Sequence, residues 1–176
     1  VISLGVDASK KATGLVVLEA TGTKVPALLL EESVSFANLD GVAKYRAITT
    51  RIIEVIDQHK PNRIVLEGYS LNMKHATSVI PLVELGGMIR FMFVLDGHRW
   101  LDPRAGELKK FVTGKGGTPK DQMMMYVLHR WGHVSKSNDT ADGYGLSCMG
   151  LAHANKLPGI TEEMRRVVGS LKFRDN

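Results

Sequence analysis

Ile2-Ser3-Leu4-Gly5-Val6-Asp7 (residues 2–7) is a short apolar run that ends on a carboxylate, and it breaks at Ala8-Ser9-Lys10 (residues 8–10). A buried strand disfavours a charge, so an aspartate at this point is either a turn residue or a residue with work to do. Thr13-Gly14 opens a second run, Leu15-Val16-Val17-Leu18, and Ala27-Leu28-Leu29-Leu30 begins a third that reaches Val34 and Phe36. Three strands joined by short turns predict an antiparallel meander. The period then changes. From Val42 to His59 the residues Tyr45, Ile48, Ile52, Ile53 and Ile56 recur at helical spacing, and Pro61-Asn62 ends that helix. Arg63-Ile64-Val65-Leu66-Glu67 is a fourth strand, placed after the helix as a parallel crossover requires.

The second half of the chain is mostly helical. A strongly apolar helix spans about Ser78 to Leu95, and Arg99-Trp100-Leu101 is a short fifth strand. Gly106 to Val112 forms a short helix, and Gly114-Lys115-Gly116-Gly117 is a loop. The next helix starts at Thr118-Pro119-Lys120-Asp121, with Thr118 as N-cap and Pro119 in the first position, and runs to about Trp131. A last long helix covers about Asn138 to Asn155. After Pro158 a weaker helical pattern lies around Met164 to Leu171, in a tail that is helical or partly disordered. The expected architecture is an α/β fold with a five-stranded mixed sheet, its first three strands antiparallel, flanked by helices. Residues 1–155 form the main domain and 156–176 the C-terminal tail.

The 176 residues suit one domain, and a 44% hydrophobic share supplies a core. The net charge of +5 and the pI near 9.4 suit a polyanionic partner without demanding one. Cys148 is the one cysteine, so no disulfide forms within the chain and no cysteine-paired zinc site is possible. Val1-Ile2-Ser3-Leu4 carries neither a basic region nor a cleavage pattern, so no signal peptide is expected. Val79 to Leu95 has 12 apolar residues out of 17, but it contains Pro81, Glu84, Gly86, Gly87 and Arg90 and falls short of the roughly 20 residues of a membrane span. A cytoplasmic protein with no membrane partner is the expectation.

The carboxylates carry the chemistry. If strands one and four are neighbours, Asp7 and Glu67 lie at the same sheet edge, beyond the carboxyl ends where ligands bind in such sheets. Asp139 and Asp142 are three apart near the start of the last helix and share one face. Favourable interaction with the helix dipole alone would explain them. However, Gly143, Leu146, Met149 and Leu151 follow, so that face should pack on the sheet, close to Asp7 and Glu67. Four such charges within a few ångströms need protons or cations. Oxygen-only ligands select Mg²⁺ or Mn²⁺ over zinc. Two ions roughly 4 Å apart suit phosphodiester cleavage. The histidines are scattered, and no serine triad competes.

Between Arg104 and Lys136 there are seven basic residues, including Lys109, Lys110, Lys115 and Lys120, against two acids. A solvated face is one reading and a phosphate-contacting surface the other. Lys115 lies between glycines, where the backbone can approach a phosphate. Lys120 sits in a first helical turn, where the dipole disfavours a cation unless an anion binds there.

Gly5-Val6-Asp7-Ala8-Ser9 with Thr13-Gly14 resembles the opening of RuvC-like Holliday junction resolvases, and Ile64-Val65-Leu66-Glu67 resembles the place of their second acid. Asn138-Asp139-Thr140-Ala141-Asp142-Gly143 is similar to their closing Asp-x-Ala-Asp-Ala motif, and residues 108–120 match their lysine-glycine segment in spacing. The resemblance covers roughly residues 1–155. It implies a ribonuclease H-like fold and a homodimeric endonuclease that nicks four-way (Holliday) and related branched DNA in pairs. It assigns Asp7, Glu67, Asp139 and Asp142 to catalysis and to two Mg²⁺ ions (or Mn²⁺), and places Lys109 and Lys120 near the scissile phosphate or DNA backbone. Bacterial cellular members carry a phenylalanine three residues after the glutamate. Here Ser70 holds that place, with Tyr69 beside it as a candidate to stack on a base. Gly41 to Tyr45 and the tail also diverge, which points to a bacteriophage version with broader branched-DNA activity, working in the host cytoplasm. The helix from Ser78 to Leu95 has more apolar surface than one core face needs and is the candidate dimer contact. Other readings are a flap or RNA–DNA hybrid nuclease of the same fold, a junction-binding scaffold without catalysis, and an actin-like ATPase domain, for which the chain is too short.

Overall fold

The structure, a computed structural model, describes residues 1–69, 76–117, 119 and 122–174, with backbone alone for 76–78. Four strands form one sheet: β1 (Ile2–Asp7), β2 (Thr13–Glu19), β3 (Ala27–Val34) and β4 (Arg63–Leu66). Their order is β3-β2-β1-β4. β1 and β2 pair antiparallel from Ile2↔Glu19 to Asp7↔Gly14, and β3 extends the meander on β2. Helix α1 (Gly41–His59) returns the chain so that β4 lies parallel to β1, with Val6 beside Leu66. The remaining elements are α2 (Ala76–Leu95), α3 (Ala105–Thr113), α4 (Met123–Trp131), α5 (Asn138–His153) and α6 (Glu162–Gly169). The N-cap expected at residue 118 lies outside the described residues. Among the described residues, no helix is long and apolar enough to cross a membrane.

The sheet has four strands rather than the expected five. Residues 99–101 do reach its edge, where Leu101 N–H donates to Ile64 O and Leu66 N–H to Leu101 O, both at 2.9 Å. The pairing stops at single bridges, Leu101 to Val65 and Trp100 to Arg174. Pro103 follows two residues later and has no N–H to continue a ladder.

Strand alternation divides the core in two. Leu4, Val6, Leu15, Val17, Ile64 and Leu66 face α1 and α2, against Tyr45, Ile48, Ile52, Leu85, Ile89 and Phe93. On the other face Val16, Leu18 and Val65 meet residues of α3, α4, α5 and α6. The segment beyond residue 155 packs into this second core through Leu157, Met164, Val167 and Val168.

Helix α5 is the central element of that layer. Every residue from Thr140 to Ala152 is buried, because the sheet lies beneath it and α3, α4 and α6 pack around it. Its approach to the sheet depends on glycine. A Cβ on Gly5 would stand 2.1 Å from Gly143 O and 2.5 Å from Ser147 N, and one on Gly14 would stand 2.0 Å from Asp139 O. A Cβ on Gly150 would meet Ser3 Oγ at 2.1 Å. Ser147 Oγ donates to Ser3 O at 2.8 Å and pins the helix to β1. At Gly5 and Gly14 backbone lies on backbone, so neither partner can yield by changing rotamer.

Gly5→Ala is therefore expected to destabilise the fold by more than about 3 kcal/mol or prevent folding. Gly169→Ala, with nothing within 4 Å of the added carbon, should cost little. Urea unfolding of both variants checks this; a Gly5→Ala protein within 1 kcal/mol of the parent, to the nearest ~1 kcal/mol, would show that α5 does not need this contact.

Candidate active site

Ser3, Gly5 and Asp7 occupy the same face of β1, and Ser3 and Gly5 touch α5. Alternation therefore directs Asp7 to the α5 side of the sheet. The same rule applies on β4: Ile64 and Leu66 face α1 and α2, Val65 faces α5, and Glu67 follows on the α5 side. Glu67 N–H donates to Val6 O at 3.1 Å, which extends the parallel register and sets Glu67 beside Asp7.

Helix α5 begins at this end of the sheet. Asp139 O lies against Gly14, the register partner of Asp7, and Gly143 sits over Gly5 and Val16. The first turns of α5 thus bring Asp139 and Asp142 to the edge occupied by Asp7 and Glu67. Asp7 is 6% and Asp142 7% exposed. Ser137 caps the helix, its Oγ accepting from Thr140 N–H at 3.2 Å while its own N–H donates to Thr140 Oγ1 at 3.0 Å.

A cleft of about 230 Å³ opens beside Asp7 and Glu67, lined also by Ser9, Tyr69, Leu82, Gly86 and Arg90; neither Asp139 nor Asp142 is in its lining. A larger hollow of about 610 Å³ lies at the opposite end of the sheet around Ala20, Gly22, Leu157 and Ile160, with no carboxylate in its lining. Chemistry, not volume, marks the site.

Among the described residues, no three of the histidine, cysteine, aspartate and glutamate side chains form a ready ligand set for one ion. The acids are gathered at one edge without being drawn around a single point. The donor chemistry fits a hard divalent ion: the four acids offer only carboxylate oxygens, and among the described residues neither histidine nor cysteine lines the cleft.

The basic residues fare differently from one another. Lys115 is exposed on the loop after α3, where Gly114 at φ 83° ends the helix, and its N–H donates to Thr113 Oγ1 at 3.1 Å. Lys109 is half-buried on α3. Lys110 Nζ pairs with Glu163 Oε1 of α6 at 2.5 Å, which holds the Glu163 carboxyl below its ordinary range. Ser70 and Lys120 lie outside the described residues. Tyr69 lies against α2: its hydroxyl donates to Val83 O at 3.2 Å, and the Arg90 guanidinium covers its ring at 4.2 Å. Sequence reasoning passed over three cations near the acids. Lys10 and Lys11 are exposed in the turn that follows Asp7, and Arg90 lines the cleft itself. The signal for Arg90 was its place as the one cation of an otherwise apolar helix.

Comparison with known proteins now becomes decisive. The family model described as crossover junction endodeoxyribonuclease RuvC matches residues 3–148. The chain belongs to the RuvC family. As a RuvC-family protein it is a crossover junction endodeoxyribonuclease that resolves Holliday junctions. The RuvC of Brachyspira hyodysenteriae is 28% identical over 158 residues, spanning 88% of this chain and 94% of that protein. The RuvC of Sinorhizobium medicae is 25% identical over 168 residues, spanning 94% and 98%. In fold, the chain is similar to T. thermophilus RuvC solved in complex with Holliday junction substrate, at a TM-score of 0.70, with 18% identity, 98% of this chain and 99% of that one covered. It is also similar to the Fowlpox virus resolvase solved with substrate Holliday junction DNA, at a TM-score of 0.52, with 14% identity over 90% and 99% of the two chains. The RuvC family is one of nucleases that use divalent metal.

One further contact holds α5 in register. Glu31 on β3 accepts from Lys136 N–H at 2.8 Å, and its other oxygen lies 3.3 Å from His133 Nε2, whose ring stacks on Tyr144. Burial pushes the Glu31 carboxyl up, but the Lys136 and Thr140 hydrogen bonds and the charges of His133 and Lys136 outweigh it and hold the group below 4.5. A lowered folded pKa stabilises above the unfolded value and fades as pH falls below 4.5. Glu31→Gln should cost about 1–3 kcal/mol at pH 7, with the gap to the parent closing in acid. Chemical unfolding across pH checks this, and a gap that does not narrow below pH 4.5 speaks against the contact.

Proposed function

We propose that Asp7, Glu67, Asp139 and Asp142 together hold two divalent cations, Mg²⁺ with Mn²⁺ as a substitute, against a DNA phosphate, and that a homodimer makes paired nicks across the four-way junction. The observation that carries the reading is the arrival of β1, β4 and the start of α5 at one edge, each bringing acids. Two such ions, held by these four carboxylates, would supply activation of a water and stabilisation of the leaving oxygen in phosphodiester hydrolysis. The protein's own part is to hold ionised carboxylates on backbone that cannot drift: the β1–β4 register fixes Asp7 against Glu67, and the glycine contacts fix α5. Lys10, Lys11, Lys109 and Lys115 supply positive charge around this edge for the DNA backbone, with Lys120 and Ser70 assigned there by sequence alone. The basic net charge of +5 suits the same partner. Related branched DNAs that can bend into the same two sites are substrates as well.

The dimer reading rests on α2. Ile80 (60% exposed), Val83 (40%), Phe91 (61%) and Leu95 (61%) are separated by three, eight and four residues, which keeps them on one side of the helix, so one stripe is apolar and open to water. Its inner stripe, Leu85, Ile89 and Phe93, is already buried on the sheet. A second copy laid on the outer stripe would cover it and generate two equivalent sites for two strands.

With labelled four-way junction and Mg²⁺, the parent protein should produce paired nicks, and Asp7→Asn should reduce cutting to background while still binding the junction. Equal cutting by the variant would remove the carboxylate mechanism. Phe91→Glu should shift the protein from dimer to monomer in sedimentation and turn paired nicks into single ones. A variant that stays dimeric would move the interface away from α2.

A further inference from the structure

We propose that Arg90 is a DNA-phosphate contact inside the carboxylate cleft, held ready by Tyr69 and Gly86; this rests on the reading that the cleft receives DNA. Arg90 lines the same 230 Å³ cleft as Asp7 and Glu67. Its guanidinium carbon stands 4.2 Å over the Tyr69 ring centroid, and Nη1 donates to Gly86 O at 3.0 Å. Nη2 is sheltered from water and has no hydrogen-bond partner among the described residues. An arginine stays charged in a protein, so a sheltered N–H without an acceptor is a standing cost. The arrangement is built rather than incidental. A Cβ at Gly86 would stand 2.7 Å from Tyr69 Cε1 and 2.8 Å from Arg90 Nη1, so a side chain there would push the stacked pair out of this position. The contact with the ring and the bond to Gly86 O limit the freedom of the guanidinium before any ligand arrives.

A cleft edged by acids repels the phosphodiester that must enter it. A guanidinium in the same lining offsets that repulsion, and its planar fork matches two phosphate oxygens. A small rotation of the long side chain is enough to turn Nη2 from its sheltered position toward an incoming phosphate, which then satisfies it. Tyr69 and Gly86 act as positioning groups: they set where the guanidinium waits.

The test measures binding of a labelled four-way junction without divalent cations, by fluorescence anisotropy across a salt series. Arg90→Gln is expected to weaken binding on the order of tenfold at moderate salt and to flatten the slope of log affinity against log salt by about 0.9, the amount of one lost phosphate contact. Lys60→Gln, a change to an exposed residue at the far end of α1, should leave both quantities as in the parent. Arg90→Lys should keep the slope, since the charge remains, and recover only part of the affinity, since the fork is gone. An Arg90→Gln protein that folds and binds with unchanged slope and affinity overturns the proposal. Should that variant fail to fold, an Arg90→Lys protein with full parental affinity overturns it equally. Failure of the broader reading looks different: the parent itself would neither prefer the four-way junction over linear duplex nor cut it.

Discussion

Helix α5 rests backbone to backbone on β1 and β2 because Gly5 and Gly14 carry no side chains, and the approach of Asp139 and Asp142 to Asp7 and Glu67 depends on that contact. A methyl group at either glycine would meet a carbonyl of α5 at about 2 Å, and the helix would have to lift. Lifting it would separate Asp139 and Asp142 from the strand ends that carry Asp7 and Glu67. The sheet and the helix are therefore one rigid frame. The Ser147 bond to Ser3 on β1 and the Glu31 contact with Lys136 hold that frame along its length and at its entrance. Rigidity matters because a phosphodiester must be oriented to well under an ångström for in-line attack.

The same frame sets the chemistry of this edge. Asp7 and Asp142 are both buried, and Asp7 and Glu67 line one cleft together with Arg90. Carboxylates held close together by backbone suit a hard divalent cation, which is the use proposed above for Asp7, Glu67, Asp139 and Asp142.

Helix α2 serves two surfaces at once. Leu85, Ile89 and Phe93 close the core beneath it, Ile80, Phe91 and Leu95 face water, and Gly86 and Arg90 turn toward the cleft. A helix apolar on nearly all sides needs more than one neighbour. The cleft and the outer stripe are on the same short helix, so a partner seated on α2 would lie within reach of the site and couple assembly to substrate geometry.

The strands, α1 and α5 were legible in the sequence because their signals are local. Period two runs through residues 2–7 and 13–18, period 3.6 through 45–56, and Asp7 and Glu67 stand visibly at the ends of apolar runs. The chain by itself determined those elements, the acids they carry and the family they resemble. The fifth strand was over-read: Arg99-Trp100-Leu101 looks like a strand, but Pro103 and the thin edge of β4 reduce it to single bridges. Lys110 looked like one more cation for DNA, yet it pairs with Glu163 of a helix 53 positions away, from 110 to 163. Tyr69 looked like a free stacking ring, yet it lies beneath Arg90. Only the tertiary structure decided the closeness of α5 to the sheet, the shared cleft of Asp7, Glu67 and Arg90, and which cations are already paired. The physical reason is that periodicity reports how a residue sits relative to its own neighbours, whereas charge pairing and close backbone approach depend on segments that meet only when the chain is folded.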